Sequence, residues 1–474
     1  MKHDSLPLAI PLPNDWTPRQ CLQAFAELPG CLALESSQVT PQVGRFSFVA
    51  ADPIAWFGPD DSGPIWERER RRLTELAAPK LTGLPPFQGG LAGAVSFEFI
   101  RQWERLPNTA YDPMAMPGYR WGLYDVVLAW DHEAGRQWLI SQGWPSVGQS
   151  RSPDWARARA NKFLDLIGSS HRLPIREQHM APCANMFPTG HQVLDWPELR
   201  SNFSREGYLN AAQRAIDYVW KGDVFQVNLA QHLWAPATCS ALELYLRSAA
   251  INPAPFSGYW DLGDLQIVSA SPERLLAWRD GSVETRPIKG TRRRGVTSFD
   301  DLQTADNLSS DPKEVAENTM IVDLMRNDLS RFCEPDSVVV TRHCGVERFA
   351  TVMHLVSVVE GRVQTGVDAM HALRCVLPGG SVSGAPKLRA LEIIAELENM
   401  ARGAYCGALG YISASGDADF NIMIRTLTAR DGWWHFPVGG AIVADSVPEN
   451  EYDETWAKAI GMLQAIGLHD LITR

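Results

Sequence analysis

The chain has no Cys-x-x-Cys pair, no basic excess, no internal repeat and no apolar run of the ~18 residues that a membrane helix needs. Each absence excludes something. Eight cysteines (21, 31, 183, 239, 333, 344, 375 and 406) lie scattered through 474 residues. Without paired spacing they predict neither a zinc site nor a disulfide framework, only buried free thiols in a reducing cytoplasm. The opening Met1-Lys2-His3-Asp4 leads into a proline-broken stretch and not an apolar signal region, so a cytoplasmic protein without membrane contact is expected. A formal net charge of −11 argues against a nucleic-acid groove, which needs a clustered positive stripe. It leaves room for a local cationic pocket. Gly89-Gly90-Leu91-Ala92-Gly93 reads as a glycine-rich turn, but its spacing does not fit a phosphate loop and no Lys-Ser/Thr follows, so packing is its expected role.

What is present is a large foldable chain. Hydrophobic residues make up 45% and charged residues 21%, enough for an extensive core. The seventeen tryptophans are dispersed, as core or rim residues would be. Residues 44–50 and 122–130 alternate or run apolar between turn residues and predict strands. A helix fits 154–166. The polar, aperiodic stretch 168–193 reads as a linker between an N-terminal region, 1–167, and a second region, 194–474. Ser204 is a plausible N-cap for a helix carrying Tyr208, Ala211, Ala212, Ala215, Ile216 and Val219, with Gly222 as its stop. A strand over 224–230 follows. The irregular mix predicts an α+β fold and not strict βαβ winding.

Unusual motifs thicken from residue 269 onward. Ser269-Ala270-Ser271-Pro272-Glu273-Arg274 comes first, then Arg286-Pro287-Ile288-Lys289-Gly290-Thr291. Glu314 and Glu317 lead into Met320-Ile321-Val322-Asp323-Leu324-Met325-Arg326-Asn327-Asp328. His354, the turn 378–387, Ile424-Arg425-Thr426 and Gly439-Gly440-Ala441-Ile442-Val443-Ala444-Asp445-Ser446 follow, then Glu451, Glu454 and Lys458. Glutamates without nearby cysteine favour a hard cation such as Mg²⁺ over zinc. Glu451 and Glu454, three apart, share a helix face. That face is a cation site or simply a solvated surface. Arg425 has the planar fork of a carboxylate clamp, or of an ordinary ion pair. Gly439-Gly440 lets backbone N–H groups approach an anion, or makes a tight turn.

In order along the chain, Ser-Pro-Glu-Arg, Pro-Ile-x-Gly-Thr, Met-Ile-Val-Asp-Leu-x-Arg-Asn-Asp, Ser-Gly-Ala-Pro-Lys and Ile-Val-Ala-Asp-Ser resemble the chorismate-utilising enzymes. That family includes anthranilate synthase component I, aminodeoxychorismate synthase component I, isochorismate synthase and salicylate synthase. The resemblance covers nearly the whole chain. It implies a large two-sheet β-sandwich with outer helices, the N-terminal and C-terminal regions intertwined. It also implies chorismate contacts at Gly290, Thr291, Tyr405, Arg425, Gly439, Gly440 and Lys458, and Mg²⁺ ligands at Glu317 and Glu454 with Glu451 close by. Glu273 resembles the family's general acid/base, and His354 a family histidine near the reacting ring.

Two positions narrow the expectation. Members that add water resemble one another in a lysine base where this chain has Gln226. Anthranilate synthases typically carry a small residue where this chain has Lys289, and aminodeoxychorismate synthases a lysine. The resemblance therefore implies attack of the Lys289 amine on C2 of chorismate, loss of the C4 hydroxyl, and displacement of the lysine by ammonia at C4. This is the chemistry of para-aminobenzoate and folate biosynthesis. Anthranilate synthase component I is the alternative, and a non-catalytic subunit that binds chorismate or tryptophan is an alternative of another class. Two departures carry less weight than Lys289 with Gln226: the basic Arg292-Arg293-Arg294, whose start resembles the anthranilate pattern, and Ala441 where a third glycine is usual, which crowds the backbone contact slightly. No cysteine elbow of a glutaminase is found, so ammonia is expected from a partner glutaminase chain. Ser36, Val43, Gly44, Arg45 and Phe46, with Pro255, Phe256 and Ser257, match the family's tryptophan pocket, whose occupant is inhibitory in some members and structural in others.

Overall fold

Two antiparallel sheets face each other in the computed structural model, which describes residues 6–38, 43–59, 65–169, 181–194, 196–349 and 352–468. One runs to twelve strands and the other to ten. Their inner faces meet through Phe48, Trp260 and Ile267 on one side and Ala92, Leu409 and Tyr411 on the other, all buried. Helices cover the outer faces. Arg205–Trp220, Pro312–Ser330, Ala369–Val376 and Lys387–Glu398 pack into one buried cluster, and Pro153–Ser169, Ala241–Ile251 and Pro448–Ala465 into another. This is the expected α+β sandwich with outer helices.

Strands from both ends of the sequence share each sheet. Leu32–Glu35 pairs with Phe256–Asp261 in the larger sheet, with Leu34 opposite Gly258. Gly90–Val95 pairs with Ala408–Ser413 in the other, with Ala92 opposite Tyr411. The stretch read as a linker is less separate than its composition suggests. Its first residues belong to the Pro153–Ser169 helix, and 170–180 lie outside the described residues. Phe187 stacks on Trp234 at 4.8 Å, and His191–Gln192 forms a short strand at the sheet edge.

Regular sequence periodicity is matched by the structure. Ser204 caps Arg205–Trp220 by accepting the Gly207 N–H at 3.0 Å, and Gly222 follows the helix at φ +81°. The match fails where both candidate conformations are apolar. The expected strand over 122–130 is two strands in different sheets, Tyr119–Tyr124 and Val126–Asp131. The break is Asp125, a fully buried carboxylate bound by Arg159 through Nε at 3.1 Å and Nη2 at 2.9 Å. The glycine-rich turn at 89–93 is mostly strand, Gly90–Val95. A Cβ on Gly93 would lie 2.1 Å from the Arg120 carbonyl oxygen, so this glycine serves close packing.

A small third sheet bears on function. Gln226–Gln231 lies between Gly384–Ala385 and Val438–Ile442, and Gly439 and Gly440 sit within the last strand, not in a turn. Among the described residues no helix is long and apolar enough to cross a membrane, and all eight cysteines are free.

Candidate active site

Lys289 also lies in a strand, Ile288–Arg293, paired with Val352–Arg362. The register slips between Lys289, opposite Leu355, and Thr291, opposite His354. Gly290 is the extra residue, at φ +73°, where a Cβ would come within 2.9 Å of Leu308 and 3.0 Å of the Glu314 carboxylate. Such a bulge interrupts the alternation of a strand. Lys289, Gly290 and Thr291 consequently all line one cavity, of about 650 Å³.

That cavity gathers the residues singled out from the motifs. Besides the 289–291 segment it is lined by Glu273, His354, Tyr405, Arg425, Gly439 and Lys458, and by all three proposed cation ligands, Glu317, Glu451 and Glu454. Gly440 is the exception. It lies behind the wall, and a Cβ there would sit 3.2 Å from Glu451 Oε2, 3.4 Å from Glu454 Oε1 and 3.7 Å from Lys458 Nζ. The absence of a side chain there leaves the carboxylates room.

The electrostatics divide the cavity into parts. Lys289 Nζ lies 3.4 Å from Glu317 Oε2 and 3.5 Å from Gln226 Oε1. Glu273 is 4% exposed and accepts a hydrogen bond from the Ser381 hydroxyl at 2.7 Å. Burial pushes its carboxyl up to about 7, against the opposing pull of Ser381, the Ile288 N–H and Lys289. A carboxyl so placed can give and take a proton near neutral pH. His354 shares a hydrogen bond between Nδ1 and the Thr291 hydroxyl at 2.8 Å. Burial first, and then Arg425, push its imidazole down to about 4, so the ring is neutral at pH 7. Burial also keeps the Tyr405 phenol well above its usual range and therefore protonated. Arg425 stands at φ +52°, a conformation rare for a residue with a side chain, at the entry to the Thr426–Arg430 strand.

The three glutamates come from two helices, Pro312–Ser330 and Pro448–Ala465. Glu454 pairs with Lys458 at 2.5 Å, while Lys458 also donates to the Gly439 carbonyl at 2.8 Å. These lysine contacts outweigh burial and hold the Glu454 carboxyl below its ordinary value. Glu451 accepts from Ser446 at 2.7 Å through Oε1, and its buried Oε2 has no hydrogen-bond partner. Burial, with Glu454 nearby, raises the Glu451 carboxyl. Among the described residues no three His, Cys, Asp or Glu side chains converge on one point as a preformed metal cage. The expected trio shares a cavity and not a cluster. Oxygen-only donors and an orphaned buried acceptor nevertheless fit Mg²⁺, which takes one or two carboxylates and completes its shell with water and ligand oxygens.

Sequence reasoning missed several parts of the wall. Asn228 lines the cavity, and its buried Oδ1 has no partner. Ser381, noted only as part of a turn, holds Glu273. Arg402 does not line the cavity but supports it: 1% exposed, it forms an ion pair with Glu398 at 2.6 Å and donates to the carbonyls of two lining residues, Val382 at 2.9 Å and Asn228 at 3.0 Å. The available signal was polar residues alternating in an otherwise apolar strand, Gln226-Val227-Asn228-Leu229.

A second cavity, of about 1110 Å³, opens between the sheets. Ser36, the 43–46 segment and the 255–257 segment, matched above to a tryptophan pocket, all line it.

Comparison with known proteins gives the family. Residues 35–464 match a family profile described as chorismate binding enzyme. Anthranilate synthase component 1 of Thermus thermophilus is 41% identical over 383 residues, covering 81% of this chain and 78% of that protein. The Pseudomonas putida protein of the same name is 35% identical, covering 98% and 96%. The crystal structure of anthranilate synthase component I from Streptococcus pneumoniae superposes with a TM-score of 0.75 at 31% identity, covering 90% of this chain and 93% of that one. A menaquinone-specific isochorismate synthase from Escherichia coli shares the fold, with a TM-score of 0.72 at 19% identity and coverage of 97% and 94%. The name anthranilate synthase component I, carried by the first three, agrees with the anthranilate alternative and not with the C4-aminating expectation drawn from Lys289.

Proposed function

The chain belongs to the chorismate-binding enzyme family, and on that premise we propose that it aminates chorismate at C4, as an aminodeoxychorismate synthase component I does. The observation that carries this reading is Lys289, whose amine reaches into the cavity with Glu317 at 3.4 Å and Gln226 at 3.5 Å. A lysine there can serve as a nucleophile once it has lost its proton. Its nitrogen bonds to C2, both ring double bonds shift, and the C4–O bond breaks. Glu273 gives its proton to the departing hydroxyl, which leaves as water. Ammonia then bonds to C4, both double bonds shift back, the C2–nitrogen bond breaks and Lys289 is free again. The proton that ammonia sheds returns to Glu273. The sum is chorismate plus ammonia giving 4-amino-4-deoxychorismate plus water.

The other residues position the ring. Arg425 and the backbone at 439 are suited to a carboxylate, and neutral His354 with Tyr405 to hydroxyl or ether oxygens. Glu317, Glu451 and Glu454 would hold Mg²⁺, which supplies neutralisation of a substrate carboxylate. The chain would draw ammonia from glutamine through a separate glutaminase subunit. The inter-sheet cavity would take tryptophan, which a calorimetric titration tests.

A second reading, anthranilate synthase component I, is favoured by the names of relatives 41% and 35% identical. One experiment separates the two. The purified chain is incubated with chorismate, ammonium and Mg²⁺, and products are resolved by chromatography and mass. Accumulation of 4-amino-4-deoxychorismate supports the first reading, and anthranilate as the sole product overturns it.

A further inference from the structure

Glu273 is asked to act as an acid in one half of the reaction and a base in the other, so its carboxyl must stay in place in both protonation states. We propose that Ser381 is the positioning residue that makes this possible, pairing with Glu273 whether the carboxyl is charged or neutral. The proposal rests on the reading that Glu273 is the proton donor to the C4 hydroxyl.

The geometry is direct. Ser381 Oγ lies 2.7 Å from Glu273 Oε1, both residues line the cavity, and they are 8% and 4% exposed. A hydroxyl has one rotatable hydrogen and two lone pairs. It donates to the carboxylate and, after a turn of the hydroxyl, accepts from the carboxylic acid, with no heavy atom moving. A fixed donor such as the Ile288 N–H, which also bonds this carboxyl, favours only the charged form. The charged and titratable groups facing the carboxyl are Lys289, from the Ile288–Arg293 strand, and the buried Cys406 thiol.

Ser381 is itself held from below. Its short 3₁₀ turn, Gly380–Val382, is closed by the Val382 N–H to the Gly379 carbonyl at 3.2 Å and the Ser383 hydroxyl to the same oxygen at 2.9 Å. The Asn228 N–H ties the turn to the small sheet through the Ser383 carbonyl at 2.8 Å. Arg402 grips the Val382 carbonyl at 2.9 Å, and Glu398 grips Arg402. A buried ion pair thus fixes the turn, the turn fixes the serine, and the serine fixes the carboxyl.

The test is chorismate consumption by Ser381→Ala and Ser381→Thr, measured against pH at a fixed concentration of free ammonia. Consumption is common to both product readings, so failure here is distinct from finding anthranilate as the product. The hydroxyl serves both forms, but its bond to the charged carboxyl is the stronger, so its loss should move the alkaline arm of kcat up by about one pH unit. A loosened carboxyl should lower kcat by about tenfold or more, with KM for chorismate nearly unchanged. Ser381→Thr, which restores the hydroxyl, should recover most of both. An alanine variant with an unmoved pH profile overturns the proposal, and so does a loss of kcat that threonine leaves uncorrected.

Discussion

The Lys289 amine and the Glu317 carboxylate face each other at 3.4 Å, with side chains only 12% and 16% exposed. A lysine that merely paired with a carboxylate would gain little from such withdrawal, because taking charges out of water is costly. Here the pair lies in a cavity whose other residues suit a small carboxylated ring, and the amine is the group there best suited to attack.

Lys289→Arg separates charge from nucleophilicity. The guanidinium keeps the positive charge opposite Glu317 but does not form the C2 adduct. Formation of the 4-amino product should fall by about 100-fold or more in this variant and in Lys289→Ala. Any residual turnover should shift toward anthranilate. Product ratios by mass spectrometry check this, and 4-amino product formed by Lys289→Arg at the wild-type rate would contradict it.

Gly440→Ala probes the cation site from behind. The added methyl would lie 3.2 Å from Glu451 Oε2 and 3.4 Å from Glu454 Oε1, so the Glu451 carboxylate must give by a few tenths of an ångström while Glu454 is brought into contact. Binding of Mg²⁺, or of Mn²⁺ followed by electron paramagnetic resonance, should weaken by about tenfold, the lower end of what displaced supporting contacts cost. Unchanged affinity would place the cation elsewhere.

Glu98 gives the protein a pH-dependent stability. Its half-buried carboxylate accepts the Arg402 and Gly403 N–H groups at 2.7 and 2.9 Å, yet withdrawal from water raises it from 4.5 to about 7. The folded chain therefore holds this proton more tightly than the unfolded chain. The stabilisation is complete below the unfolded value and is lost as pH rises through the folded one. Between pH 5 and 8 the linkage amounts to about 2–3 kcal/mol. Glu98→Gln removes the titration, so its stability relative to wild type should improve by about that much over the same interval, read from denaturant midpoints at both pH values. A difference that does not change with pH would show that Glu98 does not titrate there.

The motif residues were legible because their chemistry is local. Glu273, Lys289, His354, Arg425 and Glu454 carry their functional groups wherever the chain goes, and the fold brings them to one wall. The sandwich with outer helices was legible from the same resemblance. What was not legible depends on crowding across the structure. Gly93 is glycine because Arg120 and Trp260 press on it, which no local window shows. Asp125 ends a strand through Arg159, a residue on a distant helix. Ser381 looked like one more turn residue because its partner lies 108 positions away. The choice between C2 and C4 amination rests on Lys289 and Gln226, and overall identity to named relatives weighs hundreds of positions alike.

The covalent role of Lys289 is tested most directly by mass spectrometry of the intact chain incubated with chorismate and Mg²⁺ in the absence of ammonia, followed by peptide mapping. The account predicts a mass increase equal to chorismate less one water, carried on the peptide containing Lys289 and discharged on adding ammonium. An unmodified Lys289 peptide from a chain that converts chorismate to anthranilate once ammonium is supplied would contradict it.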